Sequence, residues 1–186
     1  MIRIALVGAI GSGKTFISNL FKLPTFNADK IVSKIYSENK KVYFALKRKL
    51  PNFFISFPIQ KKELIRAIIT NDINIKKISK IIHPEVKKEL QKFLKKYKKK
   101  KAVVLDIPLY FENKLNKKTD IIVFIQTSNR ENLKRLKKRR NFNKLIFQKL
   151  KKLQLPLVFK KKKSHYIIKN NFKKNLARKN VQDILN

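Results

Sequence analysis

The sequence predicts an α/β fold, a parallel sheet of five strands flanked by helices. Short apolar runs recur along the chain, each bounded by polar residues. Long lysine-rich stretches with apolar residues at helical spacing separate them, and strands alternating with helices imply a mostly parallel sheet. All three glycines of the 186 residues, Gly8, Gly11 and Gly13, close the first apolar run.

Residues 1–7 read as a buried first strand running directly into the glycines, which sets them apart from a signal peptide. The amphipathic stretch 16–21 follows, then a weaker strand at 24–27 and a helix from near Lys30. Residues 30–100 read as wholly helical, too long for one crossover, and so as a helical insertion. Its apolar positions include Leu64, Ala67 and Ile68, then Ile78, Ile81 and Ile82. Pro84 suits the first turn of a helix through Val86, Leu90 and Phe93. Residues 102–107, 121–125 and 166–168 supply the other strands.

Lys and Arg number 48 against 11 Asp and Glu, a net charge of +37. Two readings are open: a polyanion-binding protein, or a composition drifted towards Lys, Asn, Ile and Phe. The lysines are spread along the chain and form no basic tail, which favours drift. The chain has no cysteine, so it has neither a disulfide scaffold nor a thiolate metal site, which is compatible with a reducing compartment. No run approaches the roughly eighteen apolar residues of a membrane span. A length of 186 residues, 43% hydrophobic, suits one domain with insertions.

Gly8-Ala9-Ile10-Gly11-Ser12-Gly13-Lys14-Thr15 fits the phosphate-binding P-loop pattern, between a strand and an amphipathic stretch. Glycines allow positive φ, and successive N–H groups at a helix N-terminus then face an anion. Lys14 would reach the β- and γ-phosphates of ATP, and the Thr15 hydroxyl would ligate Mg²⁺. The guanine-reading patterns of GTPases are absent from suitable places. Small size and the helical insertion favour a nucleoside- or nucleotide-kinase-like enzyme in the P-loop NTPase class.

With so few acids, each can be weighed. Asp29 has two roles open: proton acceptor at a strand end, or N-cap of the following helix. Asp106 ends an apolar strand, where an acid supports Mg²⁺; a turn residue is its plainer reading. Glu112 either binds substrate or caps a short helix, and Asp120 reads as structural. Arg135 and Arg139, at i and i+4 on a helix after the fourth strand, share one face. They either grip phosphate oxygens or are simply solvated. His83 is a candidate hydroxyl or ribose contact, whereas His165 suits the surface.

Together these motifs resemble the dephospho-coenzyme A kinase family over about residues 2–183. The resemblance rests on the loop Gly8 to Thr15, on Asn27-Ala28-Asp29 and on His83-Pro84-Glu85-Val86. It rests further on Asp106-Ile107-Pro108-Leu109-Tyr110-Phe111-Glu112 and on Arg135-Leu136-Lys137-Lys138-Arg139. Gln154-Leu155-Pro156 with Lys160, and Ile168-Lys169-Asn170, complete it. It implies phosphorylation of the ribose 3′-hydroxyl of dephospho-coenzyme A by ATP with Mg²⁺. It implies a core (about 1–29, 102–128 and 164–186), a substrate-binding insertion (about 30–100) and a lid (about 129–163). Asp29 would be the base, with Lys14, Arg135 and Arg139 completing the catalytic set. Gly8, Gly11, Ser12, Gly13, Lys14, Thr15 and Phe16 would cradle ATP, with Asn170 near the adenine. Thr15 and Asp106 would serve the metal, and His83, Pro108 and Glu112 the substrate. A cytoplasmic monomer with no specific nucleic-acid or membrane partner is expected.

The departures are Ala9 for a glycine, Phe16 for Ser/Thr, Asn27 for an acid, Arg140 for an acid and His165 for Asp. The alternatives are another nucleotide or small alcohol as acceptor, or a basic nucleic-acid-binding ATPase.

A charge of +37 also destabilises the compact state by self-repulsion. Moderate salt is expected to raise the melting temperature in calorimetry; a flat dependence on salt contradicts this.

Overall fold

The computed structural model describes residues 1–139 and 142–185. The chain divides into two compact units: Met1–Asn27, Tyr97–Asn143 and Leu150–Asn186 form one, Ala28–Lys96 and Lys144–Lys149 the other.

The first unit carries β1 (Ile2–Gly8), α1 (Lys14–Leu20), β2 (Thr25–Asn27), β3 (Ala102–Asp106) and β4 (Ile121–Gln126). The chain then forms α6 (Asn129–Lys137), α8 (Leu157–Lys162), β5 (Tyr166–Lys169) and α9 (Lys174–Leu185), with α2–α5 and α7 defined below. The five strands form one parallel sheet in the order β2-β3-β1-β4-β5. Strand β1 is therefore central, and its apolar run Ile4-Ala5-Leu6-Val7 is buried. Helices cover both faces of such a sheet, which explains near-continuous apolar strands in place of alternation. Ile4, Leu6, Val104, Val123, Ile125 and Ile168 pack with Ile17 and Phe21 and with Ala177 and Val181 of α9.

Reversal of the strand order about β1 opens a crevice at the carboxyl ends of the strands, where such sheets bind ligands. The glycine loop and Asp106 both lie at those ends. Beneath, Arg3 and Asp120 form a buried ion pair of 2.9 Å. The fully buried Tyr110 hydroxyl donates to Asp120 at 2.6 Å and accepts from Arg3 at 2.6 Å. Burial, then the bond to Asp120, raises the Tyr110 pKa and keeps the phenol neutral. Asp120 is thus structural, as expected. Its network anchors the loop that carries Pro108 and Glu112.

The second unit packs α2 (Ala28–Glu38), α3 (Lys40–Lys49), α4 (Lys61–Thr70) and α5 (Asp72–Lys96) around Ile35, Leu46, Phe54, Ala67, Ile78 and Ile82. The first residues of α7 (Lys144–Lys152) belong to it, and Lys149 pairs with Asp72. Asn39 caps α3 by accepting from the Val42 N–H at 3.1 Å. Two expectations are corrected here. Pro84 lies inside the continuous helix α5 instead of starting a new one. The ring removes one backbone bond, but Lys80 and Pro84 are exposed, so water can satisfy the orphaned carbonyl. Asp29 stands inside the first turn of α2, past the cap position, where its charge favours the helix N-terminus.

Glu63 organises the loop before α4. Its carboxylate accepts from the Ile55, Ser56 and Gln60 N–H groups and from the Ser56 hydroxyl, at 3.0–3.1 Å. Burial opposes the charge, but these donors together outweigh it and lower the Glu63 pKa. A carboxylate with a depressed folded-state pKa stabilises the fold above its ordinary pKa, and that contribution is lost as pH falls through the folded value. Glu63→Gln is therefore expected to cost about 1–3 kcal/mol at pH 7. The cost should shrink towards zero under acid, as read by urea melts at pH 7 and pH 3.

Candidate phosphate-transfer site

The turn from β1 into α1 holds Gly8, Gly11 and Gly13 at φ +149°, +83° and +89°. Space forbids side chains as firmly as the dihedrals do. A Cβ on Gly11 would come 2.5 Å from the Asn132 Oδ1 and 2.8 Å from Leu136. One on Gly13 would strike the Asn170 amide and, at 2.8 Å, the Phe172 ring. The segment after β5 and helix α6 thus clamp the loop from two sides. Asn170 donates to the Ser12 carbonyl at 2.8 Å and Asn132 to the Ile10 carbonyl at 2.8 Å. Ser12 is buried, and its N–H bonds the Ala9 carbonyl at 3.1 Å.

Lys14 is buried, and its ammonium reaches the Ala9 carbonyl at 2.9 Å and the Gly8 carbonyl at 3.4 Å. Its charge is thereby held over the loop. The Thr15 hydroxyl donates to the Asp106 Oδ2 at 2.6 Å. Asn27 donates its amide to the same oxygen at 2.7 Å. A hydroxyl and a carboxylate are hard oxygen donors, suited to Mg²⁺ arriving with phosphate oxygens. Among the described residues no group of three or more His, Cys, Asp or Glu could by itself hold a metal. The cradle, Lys14 and this oxygen pair fit a magnesium–nucleotide ligand.

Phe16 is partly buried against the sheet core, and its ring centroid lies 6.5 Å from that of Phe172. Phe172 holds φ +64°, a left-handed conformation that a bulky residue rarely adopts. The Arg135 guanidinium stacks on its ring at 3.6 Å. Arg139 departs from expectation. Helix α6 ends at Lys137 with Lys138 as C-cap, so Arg139 lies beyond it and not on a shared face. Its N–H bonds Leu136 three residues back, which tightens the last turn. Arg140 lies outside the described residues.

Glu112 accepts from Lys160 at 2.6 Å, an ion pair in which the Lys160 side chain is 1% exposed. It also accepts from the Leu155 N–H at 2.8 Å, so it caps no helix of its own. The Pro108 carbonyl accepts from Gln154 at 3.4 Å. His165, beside β5, continues the ladder: its N–H donates to the Ile122 carbonyl, and its Nδ1 accepts from the Ile122 N–H, both at 2.9 Å. The loop residues, Thr15, Phe16, Asp106, Arg135, Pro108, Glu112 and Asn170 all belong to the first unit. Asp29 and His83 belong to the second, both exposed on helices α2 and α5. The sequence does not single out Asn132, Phe172 or Lys160 as site residues. Only Lys160 left a signal there, within the Gln-x-Pro-x-x-x-Lys match.

Comparison with known proteins decides the family. A family model described as dephospho-CoA kinase matches residues 2–175. The chain belongs to the dephospho-CoA kinase family. A dephospho-CoA kinase of Wolbachia pipientis wMel is 31% identical over 98% of this chain and 95% of its own. In fold, the chain is similar to TT1252 from Thermus thermophilus, with a TM-score of 0.82 and 22% identity over 99% of this chain and 95% of the other. It is also similar to a dephospho-CoA kinase from Campylobacter jejuni, with a TM-score of 0.67 and 24% identity over 98% and 94% of the two chains. The protein is a kinase on the P-loop fold.

Gly13→Ala is expected to destabilise the protein by about 1 kcal/mol or more, because alanine must hold positive φ against Asn170. Thermal melting and fluorescent-ATP titration should show both a lower melting temperature and weakened nucleotide binding.

Proposed function

We propose that the chain carries out the family's reaction through the loop and strand-end residues described above. The γ-phosphoryl group of ATP passes to the ribose 3′-hydroxyl of dephospho-coenzyme A, giving coenzyme A and ADP. The observation that carries this reading is the glycine cradle, with Lys14 held over the loop and Thr15 bonded to Asp106. The loop N–H groups and Lys14 bind the phosphates and offset the charge of the transferring group. Lys14 would exchange its two carbonyl partners for phosphate oxygens. Thr15 and Asp106 would hold Mg²⁺, which neutralises phosphate charge when bound.

Asp29 would accept the hydroxyl proton as the oxygen attacks phosphorus. It stands two residues along the chain from Asn27, whose amide bonds Asp106. Arg135 and Arg139 would contribute from a lid spanning about 129–163. Asn170 would act near the adenine mainly by bracing the loop, since its amide is engaged by Ser12 and the Phe172 N–H. The helical insertion, with His83, would bind the coenzyme A precursor, joined by Pro108 and Glu112. Glu112 would do so from within its pair with Lys160. His83 is exposed by area, yet the chain crowding its ring lowers its pKa, which favours a neutral imidazole able to accept from a hydroxyl.

No helix among the described residues is long and apolar enough to cross a membrane. A cytoplasmic monomer with no specific nucleic-acid partner completes the reading; the spread of lysines along the chain, with no basic tail, supports the last of these.

Purified protein is expected to form ADP from ATP only when dephospho-coenzyme A and Mg²⁺ are both present. Asp29→Asn should lower kcat by about 100-fold or more while ATP affinity stays nearly unchanged. A normal kcat in that variant refutes the base assignment, and a lack of acceptor-dependent turnover refutes the reaction.

A further inference from the structure

The pairing of strands β2 and β3 sets Asn27 directly opposite Asp106 at their carboxyl ends. Thr15 and Asn27 converge on one oxygen, Asp106 Oδ2, at 2.6 and 2.7 Å. Asp106 is 3% exposed, so this is a buried anion in a chain of net charge +37. Two neutral donors, the Thr15 hydroxyl and the Asn27 amide, compensate its charge in place of a cation. An acid at 27 would place a second carboxylate at hydrogen-bond distance from the first. Two such groups can coexist only by sharing a proton or holding a cation between them.

We propose that Asn27 is a positioning residue that makes divalent-cation binding depend on nucleotide. Its amide, with the Thr15 hydroxyl, gives Asp106 Oδ2 two donors from the chain itself. A single carboxylate and a hydroxyl give the cation too little charge to hold it alone, because affinity for hard cations follows the number of charged ligands. The ion enters with phosphate oxygens that supply the missing charge. This rests on the proposed function only for what brings the ion in.

The test is Mn²⁺ binding followed by electron paramagnetic resonance, with no nucleotide present. Native protein should leave the free-ion signal unchanged, and ATP should then add a protein-bound signal distinct from Mn²⁺–ATP. Asn27→Asp should bind Mn²⁺ without nucleotide, about tenfold more tightly than native protein or better. The charge-swapped double variant, Asn27→Asp with Asp106→Asn, should return to the native behaviour. If Asn27→Asp melts early in chelator and Mn²⁺ restores it, the proposal is equally supported. Native protein that binds Mn²⁺ alone as tightly as Asn27→Asp overturns it. So does an Asn27→Asp protein that folds but takes no Mn²⁺, or one that Mn²⁺ fails to restore. A double variant that still binds Mn²⁺ without nucleotide overturns it as well. Failure of the kinase reading would show separately, as absent acceptor-dependent ADP with these binding results intact.

Discussion

The positive-φ turn between β1 and α1 is the constraint on which the first unit depends. Its backbone can exist only where side chains are missing, at Gly11 and Gly13 above all, because Asn132, Leu136, Asn170 and Phe172 fill the space a Cβ would need. The same close approach lets Asn132 and Asn170 bond the loop carbonyls, so that packing and polarity fix a single loop conformation. In the proposed reaction the loop N–H groups would then meet phosphate without rearranging, and Lys14 would turn from the Gly8 and Ala9 carbonyls to join them. A fold otherwise poor in glycine keeps all three where the geometry demands them.

Charge works in the opposite sense. A chain with 48 basic and 11 acidic residues has few carboxylates, and several of them hold the architecture together. Asp120 locks Arg3 and Tyr110 beneath the sheet, Glu112 pairs with buried Lys160, and Glu63 gathers four donors in the helical unit. Breaking such a buried pair by removing one partner leaves an uncompensated charge, which is far costlier than losing a surface ion pair. The excess lysine is mostly exposed and adds a positive field that attracts polyanionic nucleotides.

Much of this was legible in the residues themselves. The strand runs at 1–7, 102–107 and 121–125 closely match β1, β3 and β4, since buried parallel strands are apolar on both faces. Even the weak run at 24–27 forms β2, short because it is an edge strand. The pairing of Thr15 with Asp106 follows from motif and strand end together. Other features depend on tertiary context that local pattern does not carry. Pro84 looks like a helix start, but solvent at an exposed carbonyl lets α5 continue through it. Arg139 looks helical by spacing, yet the cap at Lys138 intervenes. Asn132 and Phe172 are ordinary residues in an Asn- and Phe-rich chain, and only the fold brings them against the glycines.

In the proposed function this loop directs the phosphoryl group of ATP to a single hydroxyl of the coenzyme A precursor. Phosphorus NMR of the product formed from ATP and dephospho-coenzyme A tests it most directly. One new phosphomonoester resonance, on the ribose 3′-oxygen, is expected to appear in step with ADP. ADP released with inorganic phosphate alone, or a new ester at any other position, would contradict it.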